Sequence, residues 1–264
     1  MHIDLTGKRA VVTGSTAGIG YAIAKGLAAA GASVVITGRS KERVDQALAA
    51  LSRDVSNANA TGVAVDLGTA DGCQQLIERV TDADILVNNV GTFEPSDFFA
   101  TDDDTWQRFF DVNVMSAVRL SRHYAKGMRE RNWGRVEFIS SESALNIPTE
   151  MVHYGMTKAA VQSVSRGLAK VLTGTNVTVN AILPGPTRSE SVKKMMEEQA
   201  QEAGISVAEA EKRFIDDNRP SSIIHRLSDP EEVANLCVYV ASEQASATTG
   251  AALRVEGGIV DTMA

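Results

Sequence analysis

Short runs of β-branched and other apolar residues alternate along this chain with longer stretches in which apolar positions recur every three or four residues. A short apolar run bounded by turn residues suits a strand buried on both faces, and the three-four spacing suits a helix laid against it. Seven strands are predicted on this basis, over 10–13, 33–37, 62–65, 85–88, 135–139, 177–182 and 252–255. Strands that take turns with helices build βαβ units, so the expected fold class is α/β, doubly wound about one seven-stranded parallel sheet.

The clearest helical stripe passes through Val161, Val164, Leu168, Val171 and Leu172. It is expected to pack against the sheet or against another subunit. Ser228-Asp229-Pro230-Glu231-Glu232 marks a helix start, with Asp229 as N-cap, Pro230 at the first helical position and Glu232 placed to complete a capping box. That helix is predicted to end at about residue 241. The stretch 188–217 interrupts the alternation between the sixth and seventh strands and is rich in charge and methionine. One or two helices are predicted there, in a mobile lid insertion over about 187–217. Met195 and Met196 within it are expected either to line a pocket or to pack against the body of the protein.

Composition narrows this picture. A chain of 264 residues, 44% of them hydrophobic, can bury a full core, and a single domain over 1–264 is expected. A formal charge of −7 without any basic run disfavours a nucleic-acid partner. No apolar stretch is long enough to cross a bilayer, so no membrane partner is expected. The start Met1-His2-Ile3-Asp4-Leu5 lacks the features of a secretion signal, and Cys73 and Cys237 are read as buried thiols in a reducing cytoplasm. His2, His123 and His225 have no partners at ligand spacing, so no metal is expected.

Two local patterns carry chemistry. In Thr13-Gly14-Ser15-Thr16-Ala17-Gly18-Ile19-Gly20 a glycine-rich turn joins the first strand to a helix. Glycines let a pyrophosphate approach the backbone, and the helix start offers it unpaired N–H groups. Tyr154 and Lys158 lie four apart on a predicted helix, so they share a face. An ammonium beside a phenol favours the phenolate, and Lys158 is expected to lower the Tyr154 pKa in this way. His153 points about 100° away from Tyr154 and is expected at the surface or a pocket rim.

With these motifs the chain resembles the classical short-chain dehydrogenase/reductase family. Gly14-xxx-Gly18-x-Gly20 is similar to that family's TGxxxGxG fingerprint, and Asn88-Asn89-Val90-Gly91 resembles its NNAG motif with Val90 in place of Ala. Asn113 matches the family's catalytic Asn, Ser141 its catalytic Ser, Tyr154-Gly155-Met156-Thr157-Lys158 its YxxxK, and Pro184-Gly185 the turn beside the nicotinamide. The ending Val255-Glu256-Gly257-Gly258 is close to the usual Asp-Gly-Gly. The resemblance spans essentially the whole chain and implies a single-domain Rossmann-type fold.

What the resemblance implies for function is an NAD(P)-dependent enzyme that interconverts a carbonyl and a secondary alcohol, a ketone or 3-oxoacyl reductase above all. Tyr154 is then the general acid, Lys158 holds the nicotinamide ribose, Ser141 bonds the substrate oxygen, and Asn113 holds a relay water. Ser140 is the rival of Ser141, but neighbours on a strand face opposite ways and the thirteen-residue spacing to Tyr154 favours Ser141. Expected cofactor contacts are Gly14, Ser15, Thr16, Gly18, Ile19 and Gly20, then Arg39 and Ser40, then Asp66 and Leu67. Asn89, Gly91, Tyr154, Lys158, Pro184, Gly185 and Thr187 complete the set.

The second strand bears on cofactor choice. Gly38 stands where an NAD-selecting Asp would be, and Arg39 and Ser40 follow it, which favours NADP over NAD although Ala17 stands where many NADP-preferring relatives carry a basic residue. Partners implied are a small-molecule carbonyl or alcohol substrate and further copies of the chain, as a homotetramer or homodimer. The alternatives are an NAD-dependent alcohol, polyol or steroid dehydrogenase and a non-catalytic dinucleotide-binding regulator. The regulator would be marked by a replaced Tyr or Lys, and both are present. An epimerase or dehydratase would need a large C-terminal substrate domain, for which there is no room.

Overall fold

The computed structural model describes residues 2–263. Its sheet contains β1 (Arg9–Val12), β2 (Ser33–Gly38), β3 (Ala60–Ala64), β4 (Ile85–Asn88), β5 (Gly134–Ile139), β6 (Val177–Pro184) and β7 (Ala252–Val255). All are parallel, in the order β3-β2-β1-β4-β5-β6-β7. After β3 the chain crosses back over β1 to lay down β4. A crevice therefore opens at the carboxyl ends of β1 and β4, where a doubly wound sheet receives its ligand.

Alternation along each strand sends side chains to two cores. Val11, Leu86, Val136 and Phe138 pack with α3 (Ala70–Arg79), α5 (Ser116–Glu130) and α6 (Val152–Val171) through Leu76, Leu120, Tyr124 and Val161. Ala10, Val12, Ile36 and Ile85 pack on the other face with α1 (Gly18–Ala29), α2 (Lys41–Asp54) and α9 (Pro230–Val240) through Ile23, Leu27, Leu51 and Cys237. The α9 start forms as its sequence requires, with the Glu232 carboxylate accepting from the Asp229 N–H at 2.8 Å.

The stripe on α6 divides between two surroundings. Val161 and Leu172 are buried, whereas Val164, Leu168 and Val171 join Val118 and Ala125 of α5 along an outer groove of about 400 Å³. Between α4 (Asp103–Phe110) and α5 the helix widens into a π turn over Asp111–Met115. The charged stretch after β6 forms a helical hairpin of α7 (Glu190–Ala203) and α8 (Val207–Asn218). Met196 is fully buried in the hairpin's own small core with Ile215 and Leu227, so packing accounts for it. Among the described residues no helix is long and apolar enough to cross a membrane.

Candidate active site

The loop between β1 and α1 is shaped for close approach. Gly14 and Gly18 have φ of +62° and +55°, and a Cβ on Gly20 would stand 2.3 Å from the Gly14 carbonyl oxygen. Asn89, just beyond β4, braces the loop by donating from its amide to the Thr13 and Gly14 carbonyls at 2.9 and 3.0 Å. Ser40, Thr69, Asp102, Ser189 and Ser206 cap the helices that follow them, but α1 is preceded by Ala17, which offers no side-chain cap, and has no acid in its first turn. Its N–H groups are left to an incoming anion, and the loop fits a dinucleotide pyrophosphate. Thr16, Gly18 and Ile19 are partly exposed on this loop.

Ser15 departs from expectation. Its N–H donates to Thr37 O at 2.9 Å, its hydroxyl donates to Val12 O at 2.6 Å and accepts from the Thr37 N–H at 3.0 Å, and it has no exposure. It locks β1 to β2 beneath the loop and is not placed to touch a cofactor. At the end of β2 a Cβ on Gly38 would lie 2.5 Å from Thr16 Cγ2, so a carboxylate has no room in this arrangement. Arg39 is exposed and makes no ion pair or hydrogen bond among the described residues. The Ser40 hydroxyl accepts from the Arg43 N–H at 3.4 Å as the α2 cap, which leaves its proton free to donate. Asp66 is exposed and accepts from the Gly68 N–H at 3.0 Å, while the Leu67 side chain is buried in the core.

Further residues converge at the carboxyl ends of β4 and β5. Lys158 Nζ donates to the Ile139 carbonyl at 2.9 Å and lies 5.6 Å from the centre of the Tyr154 ring, one helical turn away. Asn113, turned inward by the π turn, accepts from the Thr92 N–H at 2.7 Å and donates to Thr92 O and Thr157 Oγ1 at 3.0 and 2.9 Å. Its amide braces the strand-end loop against α6. Gly91 lies between them, since a Cβ there would be 3.4 Å from both Asn113 Oδ1 and Lys158 Nζ. Ser140 donates to the Lys158 carbonyl at 2.8 Å and turns toward α6. Ser141 interacts with Tyr154, one turn earlier than Lys158 on the same helix.

The electrostatics differ from the expectation that Lys158 lowers the Tyr154 pKa. Burial pushes the phenol well above its ordinary value, Glu142 pushes the same way, and the relief comes from Ser141 and Arg219. Burial also draws the Lys158 ammonium down to about 8. Desolvation outweighs attraction here because Lys158 turns its charge to a backbone carbonyl.

Several participants carried no motif. Glu142 and Arg219 form a buried ion pair at 2.8 Å beside Ser141, and Phe93 meets Tyr154 edge to face with ring centres 6.3 Å apart. Glu142 lies three residues beyond β5, at the start of the loop that follows Ser141, and Arg219 directly follows α8. His153 proves buried rather than exposed, because α4 covers it: the Phe109 and Trp106 rings lie 4.3 and 5.9 Å away, and burial lowers its pKa. On the far side of the crevice β6 ends at Pro184, and a Cβ on Gly185 would meet the Glu256 carbonyl at 2.8 Å. Thr187 donates to Gly185 O at 2.9 Å and precedes the hairpin. Arg188 clasps the hairpin's foot, bonding Glu211 through two nitrogens at 2.9 and 2.8 Å and Asp229 at 2.5 Å. Among the described residues no cluster of His, Cys, Asp or Glu could hold a metal.

Proteins similar in sequence and in structure point to one family. A family profile described as enoyl-(acyl carrier protein) reductase matches residues 14–260. The chain is 49% identical to the uncharacterized oxidoreductase YvaG of Bacillus subtilis (strain 168) over 98% of each protein. It is 33% identical to the 3-oxoacyl-[acyl-carrier-protein] reductase FabG of Aquifex aeolicus (strain VF5), over 98% of this chain and 100% of the relative. Among solved structures, L-sorbose reductase from Gluconobacter frateurii, complexed with NADPH and L-sorbose, superposes with a TM-score of 0.94 at 34% identity over 100% of both chains. The chain belongs to the classical short-chain dehydrogenase/reductase family and is an NAD(P)-dependent oxidoreductase that interconverts carbonyl and alcohol groups.

Proposed function

We propose that the protein is an NADPH-preferring reductase of a ketone or 3-oxoacyl substrate, with Asn113, Ser141, Tyr154 and Lys158 as its working residues. The observation that carries the cofactor preference is the end of β2, where Arg39 is uncommitted and Gly38 is packed against Thr16. A guanidinium pairs with a 2′-phosphate through two hydrogen bonds, and no carboxylate is there to repel it. The likeness to an L-sorbose reductase solved with NADPH supports the same choice.

The nicotinamide of bound NADPH supplies the hydride for the carbonyl carbon. Tyr154 gives its phenolic proton to the carbonyl oxygen, and a high phenol pKa keeps that proton in place until the oxygen becomes basic. Ser141 offers its hydroxyl hydrogen to the same oxygen as charge develops. Lys158 is in place to hold the ribose and to stabilise the phenolate left behind. Asn113 fixes the loop and the helix that carry these groups. Arg39 and Ser40 take the 2′-phosphate, and the loop 14–20 takes the pyrophosphate. The α7–α8 hairpin, hinged near Thr187 and Arg188, closes over the occupied crevice as a lid on a single catalytic domain. A panel of ketones and 3-oxoacyl thioesters offered with NADPH and with NADH tests the reading. Turnover faster with NADPH is expected, and a preference for NADH would overturn it.

A homotetramer, or a homodimer, forms through the groove between α5 and α6, where Val118, Val164, Leu168 and Val171 present an apolar surface. Val171 is 69% exposed in the single chain, which is unusual for valine on a helix otherwise well packed. Light scattering at micromolar concentration is expected to give a mass above that of the monomer, and Leu168→Asp to reduce it.

A further inference from the structure

The buried pair Glu142–Arg219 lies outside the four residues assigned above, yet it touches them. Glu142 follows Ser141 directly and opens the turn Glu142–Ala144 at the end of β5; it is 3% exposed, and Arg219 is 8% exposed. One carboxylate oxygen accepts from Arg219 Nε at 2.8 Å, and the other accepts from the Ser141 hydroxyl at 2.5 Å. Arg219 is the first residue beyond α8, so a single carboxylate links the foot of the hairpin to the serine.

A buried ion pair is weak support for stability, because desolvating both charges offsets most of their attraction. Its value here lies in the serine proton. A serine hydroxyl has one hydrogen to give. Ser141 accepts from the Ser143 N–H at 3.1 Å and directs its hydrogen to Glu142, so a substrate oxygen must compete with Glu142 for that hydrogen. The negative charge of Glu142 also opposes ionisation of Tyr154, while Arg219 and Ser141 favour it. Lys158 on α6 also stands beside the phenol, and His153 turns into the aromatic side chains of α4.

We propose that Glu142 and Arg219 are a positioning pair: Glu142 holds the Ser141 proton, Arg219 shares the charge of the carboxylate and weakens that hold so that a substrate oxygen can take the proton over, and the hairpin that ends at Arg219 thereby governs the competence of Ser141 and the acidity of Tyr154. The proposal rests on the catalytic reading of Ser141 and Tyr154. Without Arg219, Glu142 would bind the serine proton more tightly and make the phenol a weaker acid. Paired with Arg219 it is a poorer acceptor, so a substrate oxygen competes for the serine proton and Tyr154 gives up its own more readily.

The test compares the wild type with Glu142→Gln, Arg219→Met and the double variant as full-length protein. The ionisation of Tyr154 is followed by the ultraviolet absorbance of the phenolate, with Tyr154→Phe in each background subtracted and folding checked by circular dichroism at every pH. Glu142→Gln is expected to bring the Tyr154 step down by about one pH unit, a tenfold change in phenolate fraction, and Arg219→Met to move it up by a similar amount. The double variant returns close to the wild type, and it also serves if a lone buried carboxylate keeps Arg219→Met from folding. Singles that leave the step unmoved, or move it the same way, overturn the proposal, since packing alone gives no opposite signs. The titration needs no turnover, so its result is separate from the failure of the catalytic reading, which unimpaired activity of Tyr154→Phe alone would signal.

Discussion

The side-chain amide of Asn89 donates to the backbone carbonyl of Gly14 at 3.0 Å and so ties the end of β4 to the glycine loop after β1. The bond to Thr13 O at 2.9 Å doubles the tie. Asn89→Ala removes both and leaves two partly buried carbonyls without their partner, at a cost of about 1–3 kcal/mol. Cofactor affinity measured by calorimetry is expected to fall about tenfold or more, because the loop must be ordered on binding. Unchanged affinity would show that the glycines alone set the loop.

Tyr154→Phe removes only the proton donor. Turnover is expected to fall by about a hundredfold to ten-thousandfold, the usual weight of a general acid, while NADPH affinity stays near that of the wild type. Near-normal turnover would remove Tyr154 from the mechanism.

Arg39→Ala separates a phosphate contact from a solvated surface residue. A charge-assisted bond to phosphate contributes roughly 1.5–3 kcal/mol, so kcat/KM with NADPH is expected to drop by about ten- to a hundredfold with little change for NADH. Equal losses with both cofactors would argue that Arg39 supports the loop and not the phosphate.

A second buried acid gives a pH dependence of stability. Glu137 on β5 has no exposure, and no hydrogen-bond partner reaches either carboxylate oxygen among the described residues. Burial pushes its pKa from 4.5 to about 8, against smaller opposing effects of the Cys237 thiol and Arg135. The unfolded chain releases this proton near 4.5, whereas the native state keeps it until about 8, so the native state holds more protons in between. Stability is therefore lost as pH rises through that window and stays low above it, by an amount on the order of a few kcal/mol. Glu137→Gln removes the titration, and its melting temperature is expected to gain on the wild type as pH rises. A gap that stays constant with pH would mean that Glu137 keeps a partner when charged.

Much of the fold was legible in the sequence because a sheet covered on both faces writes its strands as apolar runs. The bounds of β4 and β7 agree with those expected. Ala60 and Thr61 of β3 fall outside the expected strand, since this edge strand exposes Thr61 and is fixed by pairing with β2 rather than by apolarity. Asn113 announces itself only by the family resemblance, and Gly14, Tyr154 and Lys158 by spacing, which local geometry preserves. Ser15 and His153 could not be placed that way: what buries them is β2 in one case and α4 in the other, elements remote in sequence. Glu142 and Arg219, 77 positions apart, meet only because the hairpin returns to the crevice.

The π turn at Asp111–Met115 holds one residue more than a regular helix would need there. Each helical residue turns the chain by about 100°, so the extra one rotates everything before it relative to everything after. Without it, Phe109 and Trp106 would swing off His153, and Asn113 would leave Thr92 and Thr157, while α5 kept its outer groove. Deletion of a single residue in this stretch is thus a far graver change than most substitutions in it. The reading frame of the helix is itself part of the machinery.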